Sequence, residues 1–296
     1  MKTHTLSVSL LMLVGLIAFS APGQAEEVTI TPTKLTDQIY MLVGQGGNIG
    51  LFIGDDGTFM IDDQFAPLTD KILAAITSVG GAHPKFLINT HYHGDHTGGN
   101  EKLGRGGTLI FSHDNVRERL VQGSYIGAFN MKNAPTGKAG LPVVTFAEEI
   151  RFHLNSDTVH VYHVPHAHTD GDSFIVFETA NVIHAGDFFF NGLYPFIDVG
   201  HGGTLKGMIK AVNEVLSHTD GTTQIIPGHG PLADRGALIR YGEMLATAYQ
   251  RLSRLKAEGT SVQEAVAAKP LADLEDTWGK GMFTGDRWIE LIYAGV

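Results

Sequence analysis

The sequence predicts an α/β fold of αββα order, two mixed sheets packed face to face with helices covering the outside. Three observations carry this expectation. Short β-rich runs separated by glycine turns fall into two groups along the chain. Each group is accompanied by segments of helical period. No linker, composition break or solenoid-length repeat separates the groups, so one layered core is the economical arrangement. The expected organisation is a leader at residues 1–25 and a single domain over 26–296.

The leader has the three-part layout of a secretory signal. Lys2 provides a basic start, an apolar run covers 6–19, and Gly23-Gln24-Ala25 places small side chains where a signal peptidase reads, with cleavage expected after Ala25. The apolar run is shorter than the roughly 18 residues of a spanning helix and lacks a basic stop-transfer flank. The mature protein is therefore expected to be periplasmic or secreted, with no stable membrane insertion.

After the leader, runs at 28–31, 39–43, 51–53 and 58–62 read as an antiparallel meander, the last one entered through the turn Asp55-Asp56-Gly57. Leu, Ile and Val recur at three- and four-residue spacing over 68–79, which predicts a helix. An apolar strand at 85–90 then delivers the chain into His91-Tyr92-His93-Gly94-Asp95-His96. A strand at 108–112 and a helix at 114–121 follow. The Gly-, Asn- and Pro-containing stretch 123–142 is expected to form a loop or short-helix insertion bordering the site. Strands are expected at 143–146, 150–154, 158–164, 173–177 and 182–185, the last ending at Gly186-Asp187. One more, at 224–226, carries Pro227-Gly228-His229-Gly230. Helices are expected at 205–216, 235–257 and 262–268, the last opened by the capping box Ser261-Val262-Gln263-Glu264.

Composition narrows the function before any motif does. The net charge is −10 and no basic cluster is present, so nucleic acid is excluded as a partner, because binding it requires Lys and Arg against phosphates. There is no cysteine, which removes disulfides, thiolate ligands and cysteine nucleophiles together. Any metal site must then be built from imidazole and carboxylate.

Of the 15 histidines, three stand with an aspartate inside six residues, directly after an apolar strand. Alternate residues of an extended chain point the same way, so His91 and His93 can clasp one ion while Asp95 and His96 project towards a neighbouring one. Imidazole with carboxylate suits zinc and also admits manganese or iron.

The run His91-x-His93-x-Asp95-His96 resembles the signature of the metallo-β-lactamase superfamily. The resemblance continues in chain order through His168 in Ala167-His168-Thr169-Asp170-Gly171-Asp172, Asp187 in His184-Ala185-Gly186-Asp187, and His229 in Pro227-Gly228-His229-Gly230. It implies the metallo-β-lactamase fold and two metal ions, expected to be Zn2+. His91, His93 and His168 would hold one, Asp95, His96 and His229 the other, and Asp187 would bridge them. It further implies hydrolysis by a hydroxide generated between the ions, with Asp95 both a ligand and the group that orients the attacking water. His166 competes with His168 for the third imidazole position. The Thr169 turn that follows His168 favours the latter and places Thr169 beside the site. Asp62 resembles the family's buried aspartate that braces the metal-binding turn, the alternative being an exposed turn residue. His201 is either at the mouth of the site or a solvated loop histidine. The remaining histidines read as ordinary strand or surface residues, with His184 alone on the strand that delivers Asp187.

The expected substrate is a small molecule, most specifically a cyclic amide or ester, β-lactams included. Export favours a β-lactamase. The absence of cysteine excludes the thiolate-using β-lactamases, and a bridging Asp187 is more typical of the family's thioesterases, lactonases and phosphodiesterases. No lysine follows Asp187 to grip a carboxylate; the next residues are Phe188, Phe189, Phe190 and Asn191. These phenylalanines, Tyr194 and Phe196 are candidate walls of an apolar pocket, or else core. Gln45-Gly46-Gly47-Asn48-Ile49 is expected to be a permissive flap.

Overall fold

The computed structural model describes residues 27–296, so the predicted leader and its cleavage point lie outside the described residues. The first half of the chain runs β1 (Thr31–Lys34), β2 (Ile39–Val43), β3 (Ile49–Gly54), β4 (Gly57–Ile61), α1 (Thr69–Ser78), β5 (Phe86–Ile88), α2 (Gly94–Thr97), α3 (Asn100–Arg105), β6 (Leu109–His113) and α4 (Asp114–Gln122). A hairpin of β7 (Ser124–Ile126) and β8 (Met131–Asn133) follows, then β9 (Val144–Phe146). The second half contains β10 (Glu149–Leu154), β11 (Asp157–Val164), β12 (Asp172–Phe177), β13 (Val182–Phe190), α5 (Leu205–Ser217), β14 (Gln224–His229) and β15 (Ala233–Asp234). It closes with α6 (Arg235–Ala257), α7 (Val262–Ala267), α8 (Glu275–Trp278) and α9 (Gly285–Ile292).

Two mixed sheets result. The first has the order β1-β2-β3-β4-β5-β6-β9, antiparallel as far as β4 and parallel beyond it. The second has the order β10-β11-β12-β13-β14-β15, antiparallel except for the parallel β13–β14 pair. Side-chain alternation explains how they stack. Ile39, Phe52, Phe59 and Ile61 of the first sheet pack with Val159, Ile175, Phe177 and Ile226 of the second between the layers. Their neighbours Leu42, Leu51 and Met60 point the other way, onto Ile72 and Ile76 of α1. Phe174, Val176 and Ile183 likewise face outward onto Met208 and Val212 of α5 and Leu245 of α6. The order is therefore helix, sheet, sheet, helix, as the sequence predicts.

Three expectations are corrected. The first strand lies at Thr31–Lys34, not 28–31, because its partners are Tyr40 to Val43 of β2, while Ile30 packs ahead of the paired segment. Pro32 is tolerated there because β1 is an edge strand. The insertion at 123–142 is not merely a loop; it folds the β7–β8 hairpin, closed through a left-handed Asn130 with φ of 50°. The strand expected to end at Ala185 continues to Phe190, past an irregularity around Gly186. Gly186 has φ of 57°, a left-handed conformation that glycine adopts without a Cβ penalty, and such bulges re-aim the side chain that follows, here Asp187. Helices α3 and α8 are short and leave no clear period in the sequence, whereas α9, also not among the expected helices, buries Trp288, Ile289 and Ile292 at three- and four-residue spacing. Among the described residues no helix is long and apolar enough to cross a membrane.

Candidate metal centre

The loop after β5 is anchored from beneath before it reaches the site. Asp62 is fully buried, and its carboxylate accepts hydrogen bonds from the Thr90 backbone N–H at 2.8 Å, the Thr90 hydroxyl at 2.7 Å and His96 Nδ1 at 2.7 Å. It is thus the internal brace and not an exposed turn residue. With Nδ1 donating to Asp62, His96 presents Nε2 to the cleft. His91 is fixed the same way, its Nδ1 lying 3.0 Å from the Thr90 hydroxyl, which already donates to Asp62. His168 Nδ1 donates to the Phe196 carbonyl at 2.8 Å, and His93 Nε2 donates to Asp198 at 3.0 Å.

These bonds leave His91 Nε2, His93 Nδ1 and His168 Nε2 as bare lone pairs pointed at one another, 3.1 Å and 2.9 Å apart. Acceptors facing acceptors in a buried space repel unless a cation lies between them. At Zn–N distances of about 2.0–2.1 Å, tetrahedral ligands stand ~3.3 Å apart, which is close to what is found. Asp187 sits between this trio and a second group. Its Oδ2 is 3.7 Å from His91 Nε2, 3.6 Å from His168 Nε2 and 3.3 Å from His229 Nε2. Its Oδ1 is 3.0 Å from His96 Nε2 but not aligned with a donor, and is buried without a hydrogen bond. His229 Nε2 in turn lies 3.3 Å from Asp95 Oδ2 and 3.4 Å from His96 Nε2. Two candidate ligand groups follow, His91, His93, His168 and Asp187 in one and Asp95, His96 and His229 in the other, each with its donor atoms within 4.8 Å. The orphaned Asp187 oxygen and the opposed imidazoles fit a pair of divalent ions.

Electrostatics agree with that donor set in the first group, while in the second burial is outweighed by Asp187 and Asp95, which push His96 and His229 up, His229 to about 9, as anions do to imidazoles that share their space without a metal ion. Burial pushes the imidazolium forms of His91 and His168 down, His168 to about 4, which keeps both as neutral ligands. Burial works against ionisation of Asp95, but His96 and His229 outweigh it and hold the carboxyl at about 2. Asp187 is held well below the usual carboxylate range by His96, His229 and His91 despite its burial. Both carboxylates are therefore anionic at neutral pH.

The structure also sorts the remaining candidates. His166 has φ of 57° and turns out to the Gly202 carbonyl, so His168 is the one brought into the cluster. Thr169 is buried one layer below, its N–H and hydroxyl both donating to Asp172 at 2.8 Å and 2.5 Å. His201 is not a solvated loop residue, since its Nδ1 is 2.8 Å from the same Asp198 oxygen that holds His93. Asp198 itself gave no signal in sequence, being an isolated aspartate in an apolar stretch. Phe188, Phe189 and Tyr194 are not pocket walls. They are core, because β13 extends through them and Tyr194 stacks on Trp288 at 4.7 Å. Phe190 and Phe196 do face the site, Phe190 stacked on His229 at 4.8 Å and Phe196 5.6 Å from the His93 ring.

The segment 45–49 is no flap. Gly47 N–H donates to the Asp95 carbonyl at 3.1 Å, Gln64 Nε2 donates to the Gly47 carbonyl at 2.8 Å, and Asn48 is bonded to the Pro227 and Gly230 carbonyls at 2.9 Å each. A Cβ on Gly47 would stand 2.0 Å from His96 Cε1. Glycine is there so that backbone can press on the ligand ring, and the loop is a support joining both sheets.

An αββα sandwich with a two-metal donor set at one edge defines the class. Residues 42–229 match the metallo-beta-lactamase superfamily, and the chain belongs to this superfamily of hydrolases. A curated relative, the Beta-lactamase-like protein 2 homolog of Caenorhabditis elegans, is 24% identical over 215 residues, covering 68% of this chain and 64% of that protein. The chain thus spans just under two thirds of that relative's length. Among solved structures, a metallo-beta-lactamase from Pontibacter korlensis superposes with a TM-score of 0.62 at 18% identity over 74% of this chain and 99% of that one. The sec-alkylsulfatase Pisa1 from Pseudomonas sp. gives 0.61 at 17% identity over 80% and 45%. The metallo-beta-lactamase FIM-1 from Pseudomonas aeruginosa, in a mono-zinc form, gives 0.60 at 18% over 76% and 99%. At these identities the likeness is one of fold.

Proposed function

We propose that the protein is an exported di-zinc hydrolase of cyclic amides or esters, β-lactams included. The observation that carries the two-metal hydrolytic part of this reading is Asp187, an anionic, buried carboxylate placed within 3.7 Å of imidazoles from both ligand groups. His91, His93 and His168 would hold one ion, Asp95, His96 and His229 the other, with Asp187 shared. Zinc bound there would supply Lewis acidity and a nucleophilic water near neutral pH. Zinc is favoured by the imidazole-rich donor set and by the mono-zinc form of the similar FIM-1 fold.

The chain's own residues divide the remaining work. Asp95 is anionic and has a side chain 25% exposed to the cleft, so it can accept a hydrogen bond from a water and orient it towards a carbonyl carbon. Phe190 and Phe196 exclude bulk water from two sides. Asp62, Thr90 and Asp198 keep the imidazoles in one tautomer and one orientation.

A second reading, a thioesterase or phosphodiesterase, is favoured by the carboxylate at 187 and by the absence of lysine after it. Mature, zinc-loaded protein assayed against nitrocefin, a lactone and bis-p-nitrophenyl phosphate, with and without chelator, separates the two. Chelator-sensitive turnover of nitrocefin or the lactone is expected. Turnover of the phosphodiester alone would remove the first reading. Export is tested by expressing the full chain and finding the mature form, beginning after Ala25, outside the cytoplasm.

A further inference from the structure

The site opens onto a mouth whose walls come from segments far apart in sequence. Ile126 and Met131 face each other across the β7–β8 hairpin, Phe129 stands near its tip, and Met282 approaches from the segment between α8 and α9. Together with Phe190 and Phe196 they line the same cavity as Asp95, Asp187 and His229.

Three of these side chains are large, apolar and exposed, Phe129 at 40%, Met131 at 40% and Met282 at 62%. Large apolar side chains left in water and gathered around a functional cleft mark a surface that something covers. The hairpin is not loose. Phe129 packs on Phe196 at 4.9 Å and stacks on Phe283 at 6.1 Å, and the Tyr125 hydroxyl bonds Asn130 across the turn at 2.8 Å. Methionines at the rim add a polarizable surface that adapts to different shapes. Charge is equally telling. None of the side chains lining this cavity is a lysine or arginine, and strand alternation puts Lys132, next to Met131, on the opposite face of the hairpin. Away from the metal-ligand edge, an anionic tail in this mouth would meet no Lys or Arg to pair with.

We infer that the hairpin and Met282 form a subsite for an uncharged apolar group on the substrate, so that neutral esters, thioesters or lactones with an alkyl or aryl acyl part are preferred over substrates bearing a carboxylate there. This rests on the hydrolytic reading above for the reacting centre, while the subsite itself can be measured by binding alone.

The test pairs turnover with binding. Zinc-loaded protein is assayed with 4-nitrophenyl acetate, butyrate and octanoate, and titrated by calorimetry with 2-butanone, 2-octanone and 7-oxooctanoate, which do not hydrolyse. Full burial would give about fourfold tighter binding per methylene. In this partly open mouth 2-octanone is expected to bind at least tenfold more tightly than 2-butanone, 7-oxooctanoate to lose most of that gain, and kcat/KM to rise with acyl length. Combining F129A with M131A should shrink the long-to-short ratio about threefold or more in both measurements. M282S, from the other wall and highly exposed, should act in the same direction without touching the core. A flat length dependence, a ratio unmoved by these variants, or tighter binding of 7-oxooctanoate would overturn the subsite. Absence of all turnover, of these esters as of nitrocefin and the lactone, with the ketone ratio intact would overturn the hydrolytic reading and leave the subsite standing.

Discussion

Asp198 Oδ2 accepts a hydrogen bond from His93 Nε2 at 3.0 Å, and the same oxygen takes the Tyr92 hydroxyl at 2.5 Å and His201 Nδ1 at 2.8 Å. Burial opposes ionisation of this carboxyl, but the bonds from His93, Tyr92 and His201 hold it well below its usual range. Asp198 therefore fixes which nitrogen of His93 is free. Asp198→Ala should weaken zinc binding at the three-imidazole group by about 10–100-fold, the range for such supporting partners. Competition with a chromophoric chelator measures it, and native affinity in the variant would remove this role.

Asp62 should matter to folding as well as to the metal. Its removal leaves the Thr90 N–H and His96 Nδ1–H buried without partners. Asp62→Ala is expected to cost about 3–5 kcal/mol in urea unfolding of the metal-free protein. A loss under ~1 kcal/mol would show that the brace is dispensable.

Gly47 tests the close approach of backbone to ligand. A methyl group there meets the His96 ring at 2.0 Å. Gly47→Ala should displace His96 and lower the zinc content from two ions per chain towards one, read by elemental analysis after gel filtration. Two tightly held ions in the variant would contradict the crowding argument.

For Asp95, the expectation concerns turnover more than stability. Asp95→Asn should retain the thermal melt of the metal-free protein and lose about a hundredfold or more of its activity, because the anionic acceptor that orients the water is gone. Activity within a few fold of native would refute the assignment.

Acid sensitivity should arise partly away from the metal centre. His163 is pushed down to about 4 by burial and by His113, whose ring stacks on it at 3.6 Å. A depressed histidine stabilises the fold while neutral, above its ordinary value near 6.5. That contribution is lost as pH falls from there towards about 4. In chelator, His163→Gln should flatten part of the fall in urea midpoint across this window. Parallel curves for native and variant would exclude the pair as a source.

Much of this protein was written locally. Apolar alternation and turn residues located most strands, three-and-four spacing located α1, and Ser261 with Glu264 closed the capping box observed at α7. His91, His93, Asp95 and His96 were legible because four donor-bearing side chains crowd into six residues, and His168, Asp187 and His229 because the turns that hold them resemble, in chain order, those of the metallo-β-lactamase superfamily. These are statements about neighbours in the chain, which a sequence records directly.

What the tertiary structure decided has the opposite character. Asp198 reaches His93 across 105 positions, and Asn48 reaches Gly230 across 182, so neither bond has any local signature. Gly47 could be read as freedom until His96 was seen pressed against it. Phe188 and Phe190 are two residues apart, identical in kind and both buried in one core cluster, yet only Phe190 stacks on His229, because the register of β13 shifts again between Gly186 and Phe190. Composition states what chemistry a side chain can perform; only the packing of two sheets against each other states what it will touch.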